Sequence, residues 1–159
     1  MVRSLSAVPL EISSFPGSLS NGDFNGDGKQ DLLIGFPGSA FILPGNGDGT
    51  FDQSFDHLEF VYFGNFTTFT TNAVTVFAAD LTHSGKSDAV TADFDTGTLQ
   101  IALNSAIGSL PRSPGIFSFS RDPGLSDIAL GDLNHDGVLD VVAINFQTDE
   151  ITVLLSHKH

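Results

Sequence analysis

Acidic and amide residues recur in a nine-residue string whose spacing suits a metal ion. The string occupies Asp23–Asp31, with the sequence DFNGDGKQD, and it returns at Asp132–Asp140 as DLNHDGVLD. Side-chain oxygens at alternate positions of a tight turn are hard donors, and Ca²⁺ prefers such ligands in a flexible geometry. The two strings therefore predict two calcium-binding loops.

The predicted ligands are the side chains at loop positions 1, 3, 5 and 9, together with the backbone carbonyl at position 7. In the first loop they are Asp23, Asn25, Asp27, Lys29 and Asp31, and in the last loop Asp132, Asn134, Asp136, Val138 and Asp140. Position 6 is glycine in both loops, which permits a left-handed backbone at a sharp turn. Three carboxylates repel one another unless a cation lies among them. We therefore expect a structural ion that binds with modest affinity, in the range of about 10⁻⁴ to 10⁻³ M.

A third string, Asp80–Asp88, keeps the frame but lacks two of the strong donors. Its sequence is DLTHSGKSD, so Thr82 and Ser84 replace the ligands at positions 3 and 5. We predict a turn that has lost its ion and is held by hydrogen bonds or by a lysine, with a retained metal as the alternative. His83 in this loop and His135 in the last loop share position 4. We expect both to face solvent, with a shared binding rim as the alternative.

Other motifs with related sequences fit less well. An EF-hand requires a bidentate Glu at loop position 12, which is Ile34 in the first loop and Ala143 in the last. A dockerin would also need an acidic residue there, with helices after its loops. Gly85–Ser87 matches the end of a phosphate-binding loop, but Asp80 stands where the first glycine belongs. Because no G-x-S-x-G nucleophile elbow occurs either, we predict a protein without catalytic activity.

Composition excludes several classes of partner and site. The chain has 159 residues, a net charge of −13 and no cysteine. Nucleic acids and anionic membranes are disfavoured because binding them requires Lys and Arg in excess, and the lack of thiols excludes disulfides and thiolate metal sites. The chain contains no run of about 18 apolar residues, so no membrane-spanning helix is predicted. Residues 1–10 lack the apolar run of a signal peptide, so we expect any leader to be absent from this chain.

Short β-type runs separated by Gly, Asn, Asp and Pro predict an all-β fold. The predicted strands are Ala7–Ile12, Ser18–Asp23, Asp31–Phe36, Ala40–Leu43, Leu58–Phe63, Ala73–Asp80, Asp88–Ala92, Leu99–Asn104, Ile116–Ser120, Ile128–Asp132, Asp140–Asn145 and Ile151–Leu155. Several are continuous apolar runs, which are typical of strands that are covered on both faces. A stack of small sheets provides such cover.

The run Asn21–Leu33 and the glycine-rich segment Gly45–Phe51 resemble the FG-GAP and VCBS repeats of integrin-like β-propellers. The segments Asp140–Phe146 and Ile151–Leu155 have the same pattern. In that family each repeat is one four-stranded blade, and the calcium loop joins the first strand of the blade to the second. The resemblance therefore implies about three four-stranded β-propeller blades with calcium loops between strands.

On that template the chain is one partial propeller domain covering residues 1–159. The repeats fall at about 18–74, 75–127 and 128–159, and an N-terminal strand at 5–12 would complete the blade that the C-terminus leaves open. Three blades are fewer than the usual four to eight. We expect the ring to close by homo-oligomerisation, with two copies forming six blades, or the chain to belong to a larger propeller.

The expected function is that of a calcium-stabilised binding or adhesion module at the cell surface or outside the cell. A carbohydrate-binding propeller is a second hypothesis, since propellers related to this family include lectins. Two further hypotheses are a non-catalytic appendage of a secreted polysaccharide-active enzyme and an engineered or truncated propeller fragment. A glycan or an extracellular protein is the expected partner.

Overall fold

The computed structural model describes residue 10 and residues 16–53, 59–62, 74–104 and 123–157. Ten β-strands and no helix lie in these ranges. The strands are β1 (Ser18–Gly22), β2 (Asp31–Phe36), β3 (Ser39–Leu43), β4 (Glu59–Tyr62), β5 (Thr75–Ala79), β6 (Asp88–Asp93), β7 (Thr98–Ala102), β8 (Leu125–Gly131), β9 (Asp140–Asn145) and β10 (Glu150–Leu154). In the described part of the chain, no helix is long and apolar enough to cross a membrane.

The strands form three antiparallel meanders that follow the order of the chain. The first sheet has the order β1-β2-β3-β4, the second β5-β6-β7 and the third β8-β9-β10. The all-β prediction is confirmed, and the three sheets fit blades of an incomplete propeller. The predicted strands Ile116–Ser120 and, apart from Leu10, Ala7–Ile12 lie outside the described residues.

The largest difference between a predicted and an observed strand start is three residues, at β8. Pairing of β8 starts at Leu125, opposite Asn145, rather than at the predicted Ile128. The register shifts between Leu125 and Asp127, and such a bulge breaks the alternation of apolar and polar residues on which the sequence prediction relies. The sequence pattern alone therefore misses the start of this strand.

The sheets stack face to face in chain order and bury two apolar clusters between them. The first cluster joins the first sheet to the second through Phe24, Leu33, Ala40, Ile42, Val74, Val76, Ala89 and Ala102. The second cluster joins the second sheet to the third through Val90, Ala92, Leu99, Leu125, Ile128, Val141 and Ala143. Each fully buried large side chain stabilises the fold by about 1.5–3 kcal/mol. This stacking explains why several strands are apolar on both faces.

Side-chain hydroxyls join the first strands of adjacent sheets. Ser18 Oγ donates to the carbonyl of Val74 at 2.7 Å and accepts from the N–H of Val76 at 2.9 Å. Thr75 Oγ1 donates to the carbonyl of Ser126 at 3.2 Å. Strands β1, β5 and β8 are thus neighbours, and the loops that follow them emerge at the same end of the stack.

The other face of the first sheet carries a third apolar cluster. Ile34, Phe36 and Leu43 are buried there, with Phe41 packed against them. The rings of Phe36 and Phe41 stack with their centroids 4.5 Å apart. Leu10, the described residue of the predicted N-terminal strand, also packs against this cluster.

Candidate metal loops

The three acidic strings form loops with the same backbone conformation. They join β1 to β2, β5 to β6 and β8 to β9, as the resemblance implied. The φ angles at positions 4 and 6 are positive in every copy: 79° and 80° at Gly26 and Gly28, 55° and 81° at His83 and Gly85, and 60° and 83° at His135 and Gly137. The two histidines are non-glycine residues in the left-handed region, which carries a conformational cost.

The carboxylate at position 1 holds the loop around itself. Asp23 accepts the N–H groups of Gly26 and Gly28 at 2.6 and 2.8 Å. In the other two loops, the equivalent carboxylates accept the N–H groups at positions 5 and 6. Asp80 accepts from Ser84 and Gly85, at 2.9 and 2.8 Å, and Asp132 accepts from Asp136 and Gly137, at 3.1 and 2.9 Å. This contact is present whether or not the loop keeps its other predicted ligands.

Positions 3 and 5 of the first loop make local turns. Asn25 Oδ1 accepts the N–H of Asp27 at 2.8 Å, and Asp27 Oδ1 accepts the N–H of Lys29 at 2.9 Å. The ammonium of Lys29 also lies 3.0 Å from Asp27 Oδ2. The backbone N–H of Lys29, and then its ammonium group, lower the pKa of Asp27. Asp27 is therefore ionised near neutral pH, as a calcium ligand must be.

The last loop repeats this arrangement without the lysine. Asn134 Oδ1 accepts the N–H of Asp136 at 2.9 Å, and Asp136 Oδ1 accepts the N–H of Val138 at 2.8 Å. The amide of Asn134 donates to Asp136 Oδ2 at 3.2 Å. In the middle loop the equivalent acceptor is the Ser84 hydroxyl, which receives the N–H of Lys86 at 3.3 Å. The serine thus preserves the turn but supplies no charge.

The aspartate at position 9 is buried and joins the loop to the end of the third strand. Asp31 accepts the N–H of Phe24 at 2.9 Å with one oxygen and that of Gly45 at 2.9 Å with the other. The same pair of contacts recurs in both other repeats. Asp88 accepts from Leu81 and Asn104, at 2.8 and 2.6 Å, and Asp140 accepts from Leu133 and Ser156, both at 2.8 Å. The sequence predicts this residue as a metal ligand but does not predict its role as a structural link within the sheet.

The environments of two position-9 carboxyls differ in their effect on the pKa. Burial raises the pKa of Asp88, and the N–H groups of Asn104 and Leu81 only partly offset it. Burial acts in the same direction on Asp140, but the N–H groups of Leu133 and Ser156 outweigh it, so the pKa of Asp140 is lowered. The two equivalent carboxyls are therefore shifted in opposite directions.

The donor set of the first and last loops fits calcium in its chemistry. Each combines three carboxylates, an amide oxygen and a backbone carbonyl, all of them hard oxygens. A carboxylate oxygen that accepts one N–H keeps further acceptor capacity. Among the described residues, however, no three Asp, Glu or His side chains form a group arranged to hold a metal ion. The side chains are instead turned towards backbone N–H groups of their own loops.

Adjacent loops contact one another directly. The N–H of Ser87 donates to the carbonyl of Asp23 at 2.7 Å, and Asn104 Nδ2 donates to the carbonyl of Phe24 at 2.6 Å. His83 Nε2 lies 3.1 Å from the carbonyl oxygen of Gly137. His83 and His135 are exposed, as predicted, but His83 also links the middle loop to the last. The loops therefore form a continuous rim.

The glycine-rich bend Gly45–Phe51 extends this rim beside the first loop. Gly45 pairs with Phe51 in an isolated bridge, and Gly47 and Gly49 have φ of 83° and 92°, as the predicted tight turn requires. A Cβ at Gly45 would lie 2.1 Å from the carbonyl oxygen of Gln30, so only glycine fits there. This close approach brings the N–H of Gly45 to the position-9 carboxylate.

Comparison with known proteins agrees with this geometry. The FG-GAP repeat family matches residues 15–51, and the FG-GAP-like repeat family matches residues 80–143. Together the two matches cover more than half of the chain. The chain belongs to the FG-GAP repeat proteins.

A solved structure shares the fold of this FG-GAP repeat protein. It is an Agrocybe aegerita lectin described as specifically recognising non-reducing terminal N-acetylglucosamine, with 23% sequence identity and a TM-score of 0.53. The likeness covers 87% of this chain and 38% of the lectin chain. The chain thus spans well under half the length of that structure. No match was found among curated proteins.

Proposed function

We propose that this FG-GAP repeat protein is a non-catalytic binding module whose first and last loops are stabilised by calcium. The observation that carries this proposal is that the acidic string, with its oxygen ligands, recurs on loops of similar backbone conformation. Asp27 and Asp136 would coordinate at position 5, and the position-1 aspartates would coordinate beside them. Bound calcium would neutralise carboxylates that are now held only by N–H groups and one lysine.

Asp27→Asn tests this proposal with little change in shape. Asn keeps an oxygen that can accept the N–H of Lys29, but it removes the charge that calcium would need. We expect calcium to raise the melting temperature of the native chain and to raise that of the variant less, relative to excess chelator. Ser84→Asn is the matched control in the middle loop and should leave the calcium effect unchanged. Equal melting temperatures with calcium and with chelator would refute calcium stabilisation.

The ligand that we favour is a glycan. The support is the fold shared with a lectin, together with a polar rim of loops that projects from one end of the stack. A glycan array probed with the labelled chain in calcium tests this, with the same chain in chelator as control. Binding that is selective for a terminal sugar supports the lectin-like role. An array without signal, together with capture of an extracellular protein ligand, would favour adhesion to protein instead.

The proposed location is outside the cell or at its surface. Extracellular modules bind calcium with dissociation constants of about 10⁻⁴ to 10⁻³ M, which suits a compartment rich in calcium. A role as the non-catalytic appendage of a secreted enzyme uses the same binding surface, and detection of the chain within such an enzyme would support it.

We also propose that copies of the chain associate to complete a ring. The support is the apolar surface at both ends of the stack: Leu19 on the first sheet is 62% exposed and Ile151 on the third is 70% exposed. Sedimentation equilibrium over a range of concentrations tests this. A monomer at every concentration would contradict it.

A further inference from the structure

In each repeat, four strand residues and one loop residue form the face that packs against the next sheet in chain order. This face is here named the forward face. Loop numbering and strand register make these positions equivalent in the three repeats. They are Phe24, Leu33, Gly35, Ala40 and Ile42 in the first sheet, Leu81, Val90, Ala92, Leu99 and Ile101 in the second, and Leu133, Val142, Ile144, Ile151 and Val153 in the third.

The forward face is covered in the first two sheets and exposed in the third. All five residues of the first sheet are buried, and those of the second are buried or packed against the third sheet. In the third sheet, Leu133 is 51% exposed, Ile144 43%, Ile151 70% and Val153 49%. Four exposed apolar side chains on one face are typical of an interaction surface.

From this surface we infer that the forward face of the third sheet packs, head to tail, on the first sheet of a second copy. This inference rests on the self-association proposed above and identifies its surfaces. The receiving surface, here named the rear face, is the side of the first sheet that points away from the second sheet. Its exposed part includes Gly17 and Leu19, beside a groove of about 760 Å³ that Leu10 and Leu32 also line. The rest of this face is already buried in the third apolar cluster, against which Leu10 packs. Every internal junction already joins a forward face to a rear face in this way.

The sizes of facing residues support a second copy as the occupant. At the first junction, a Cβ on Gly35 would lie 2.2 Å from the backbone carbonyl oxygen of Val74 and 3.0 Å from Cγ1 of Val76, so the forward residue there has no room for a side chain. At the second junction the bulge leaves Ser126 exposed, and the larger Leu125 is buried in the same cluster as Ala92. Between copies, the pair is Ile144 with Gly17, so the large residue has moved to the forward side and the small one to the rear side.

The residue at one position indicates that the junction between copies is weaker than the two junctions inside the chain. Ser18 and Thr75 are equivalent, and each donates its hydroxyl to a carbonyl of the next sheet. Asp127 takes their place in the third sheet, and an ionised carboxylate has no proton to donate. The inferred association is therefore reversible and depends on concentration.

A charge on the forward face tests the surface by sedimentation. Ile151→Glu should raise the dissociation constant of self-association by about tenfold or more, because the charge would have to be buried. Leu103→Glu is a matched control, since Leu103 is apolar and 45% exposed but directly follows the last strand of the second sheet. Equal association of both variants and the native chain would overturn the inferred surface.

A size exchange tests the pairing of Ile144 with Gly17. Gly17→Val alone should block association, because two large side chains would then meet. Adding Ile144→Gly restores the combination found at Gly35 and Val74 and should restore association. Thermal melts of each variant establish that the chain still folds. Failure of the double variant to associate while the native chain does so would overturn the face assignment and leave the proposed self-association standing.

Cross-linking decides the relative orientation, because the native chain has no cysteine. Ile144→Cys and Leu19→Cys place single thiols on the two faces, and Val76, the equivalent of Leu19, lies 3.0 Å from a Cβ built on Gly35. Under oxidising conditions a mixture of the two variants should form a cross-linked heterodimer. A disulfide-linked homodimer of Ile144→Cys alone, with no heterodimer, would show two forward faces in contact and would overturn the head-to-tail arrangement. None of these results bears on calcium or glycan binding.

Discussion

The middle loop and the last loop have nearly the same shape but different chemistry. Positions 4 and 6 have φ of 55° and 81° in the middle loop and of 60° and 83° in the last. The aspartate at position 1 accepts the same two N–H groups in both. The last loop has Asn134 and Asp136 where the middle loop has Thr82 and Ser84.

This comparison separates the residues that shape the loop from those that would bind an ion. The aspartates at positions 1 and 9 and the left-handed residues at positions 4 and 6 occur in both loops, so they suffice for the backbone conformation. Positions 3 and 5 add charge and oxygen donors without changing the path of the chain. Calcium would therefore stabilise a loop that is already folded.

The largest expected effect comes from position 9 of the middle loop. Asp88→Ala would remove the acceptor of the N–H groups of Asn104 and Thr82 and would leave the N–H of Leu81 with only its 3.1 Å contact to the carbonyl of Ala79. Since each unsatisfied buried donor costs about 1–3 kcal/mol, we expect the free energy of unfolding to fall by about 3 kcal/mol or more. Urea denaturation in chelator measures this, with Asp88→Asn as the milder control. A loss below about 1 kcal/mol would contradict the structural role assigned to this position.

A calcium site built into the middle loop would give the next largest effect. Thr82→Asn with Ser84→Asp copies positions 3 and 5 of the last loop onto an unchanged backbone. We expect the double variant to bind one calcium ion more than the native chain, measured as metal content after equilibrium dialysis. Thr82→Asn alone is the control and should gain none. Unchanged metal content in the double variant would mean that more than these two side chains separates the loops.

The left-handed histidines give a smaller effect that differs between the two loops. Replacing His135 with Gly removes the conformational cost at φ of 60° and should stabilise the fold by about 0.5–1 kcal/mol. His83→Gly should stabilise it less, because it also removes the contact with the carbonyl of Gly137. Denaturation of both variants in parallel measures the difference. A larger gain for His83→Gly would contradict the role assigned to this contact.

The smallest expected effect is a pH dependence that arises from Asp88. Because its pKa is raised above the ordinary value of 3.8, the folded state holds this proton more tightly than the unfolded state. The contribution to stability is complete below pH 3.8 and is lost as the pH rises through the folded pKa. In chelator, Asp88→Asn should remove this component from the dependence of unfolding free energy on pH. An identical pH dependence in the variant would contradict the raised pKa.

The sequence predicts the parts of the fold that local patterns encode. The loops, the strands beside them and the turn at Gly45–Phe51 follow from glycines, aspartates and short apolar runs. The bulge that shifts the register after Leu125 has no such local pattern, and the predicted start of β8 is therefore too late. The repeat period also indicates stacked sheets without any knowledge of packing.

The structural role of the position-9 aspartates cannot be read from local spacing. Their partners Gly45, Asn104 and Ser156 lie 14 to 16 residues further along the chain, and the third strand has to pair before these N–H groups come near. The persistence of Asp88 in a loop that lacks the predicted ligands at positions 3 and 5 is the one available sign. The link from His83 to Gly137 joins separate repeats and likewise depends on how the sheets stack.

Counting the calcium ions bound by the native chain tests the central claim most directly. Isothermal titration calorimetry should find two ions per chain, and Asp27→Asn and Asp136→Asn should each reduce the number to one. The middle loop should contribute no ion. A native chain that binds no calcium, or that still binds two ions when either aspartate is replaced, would contradict the assignment of calcium to the first and last loops.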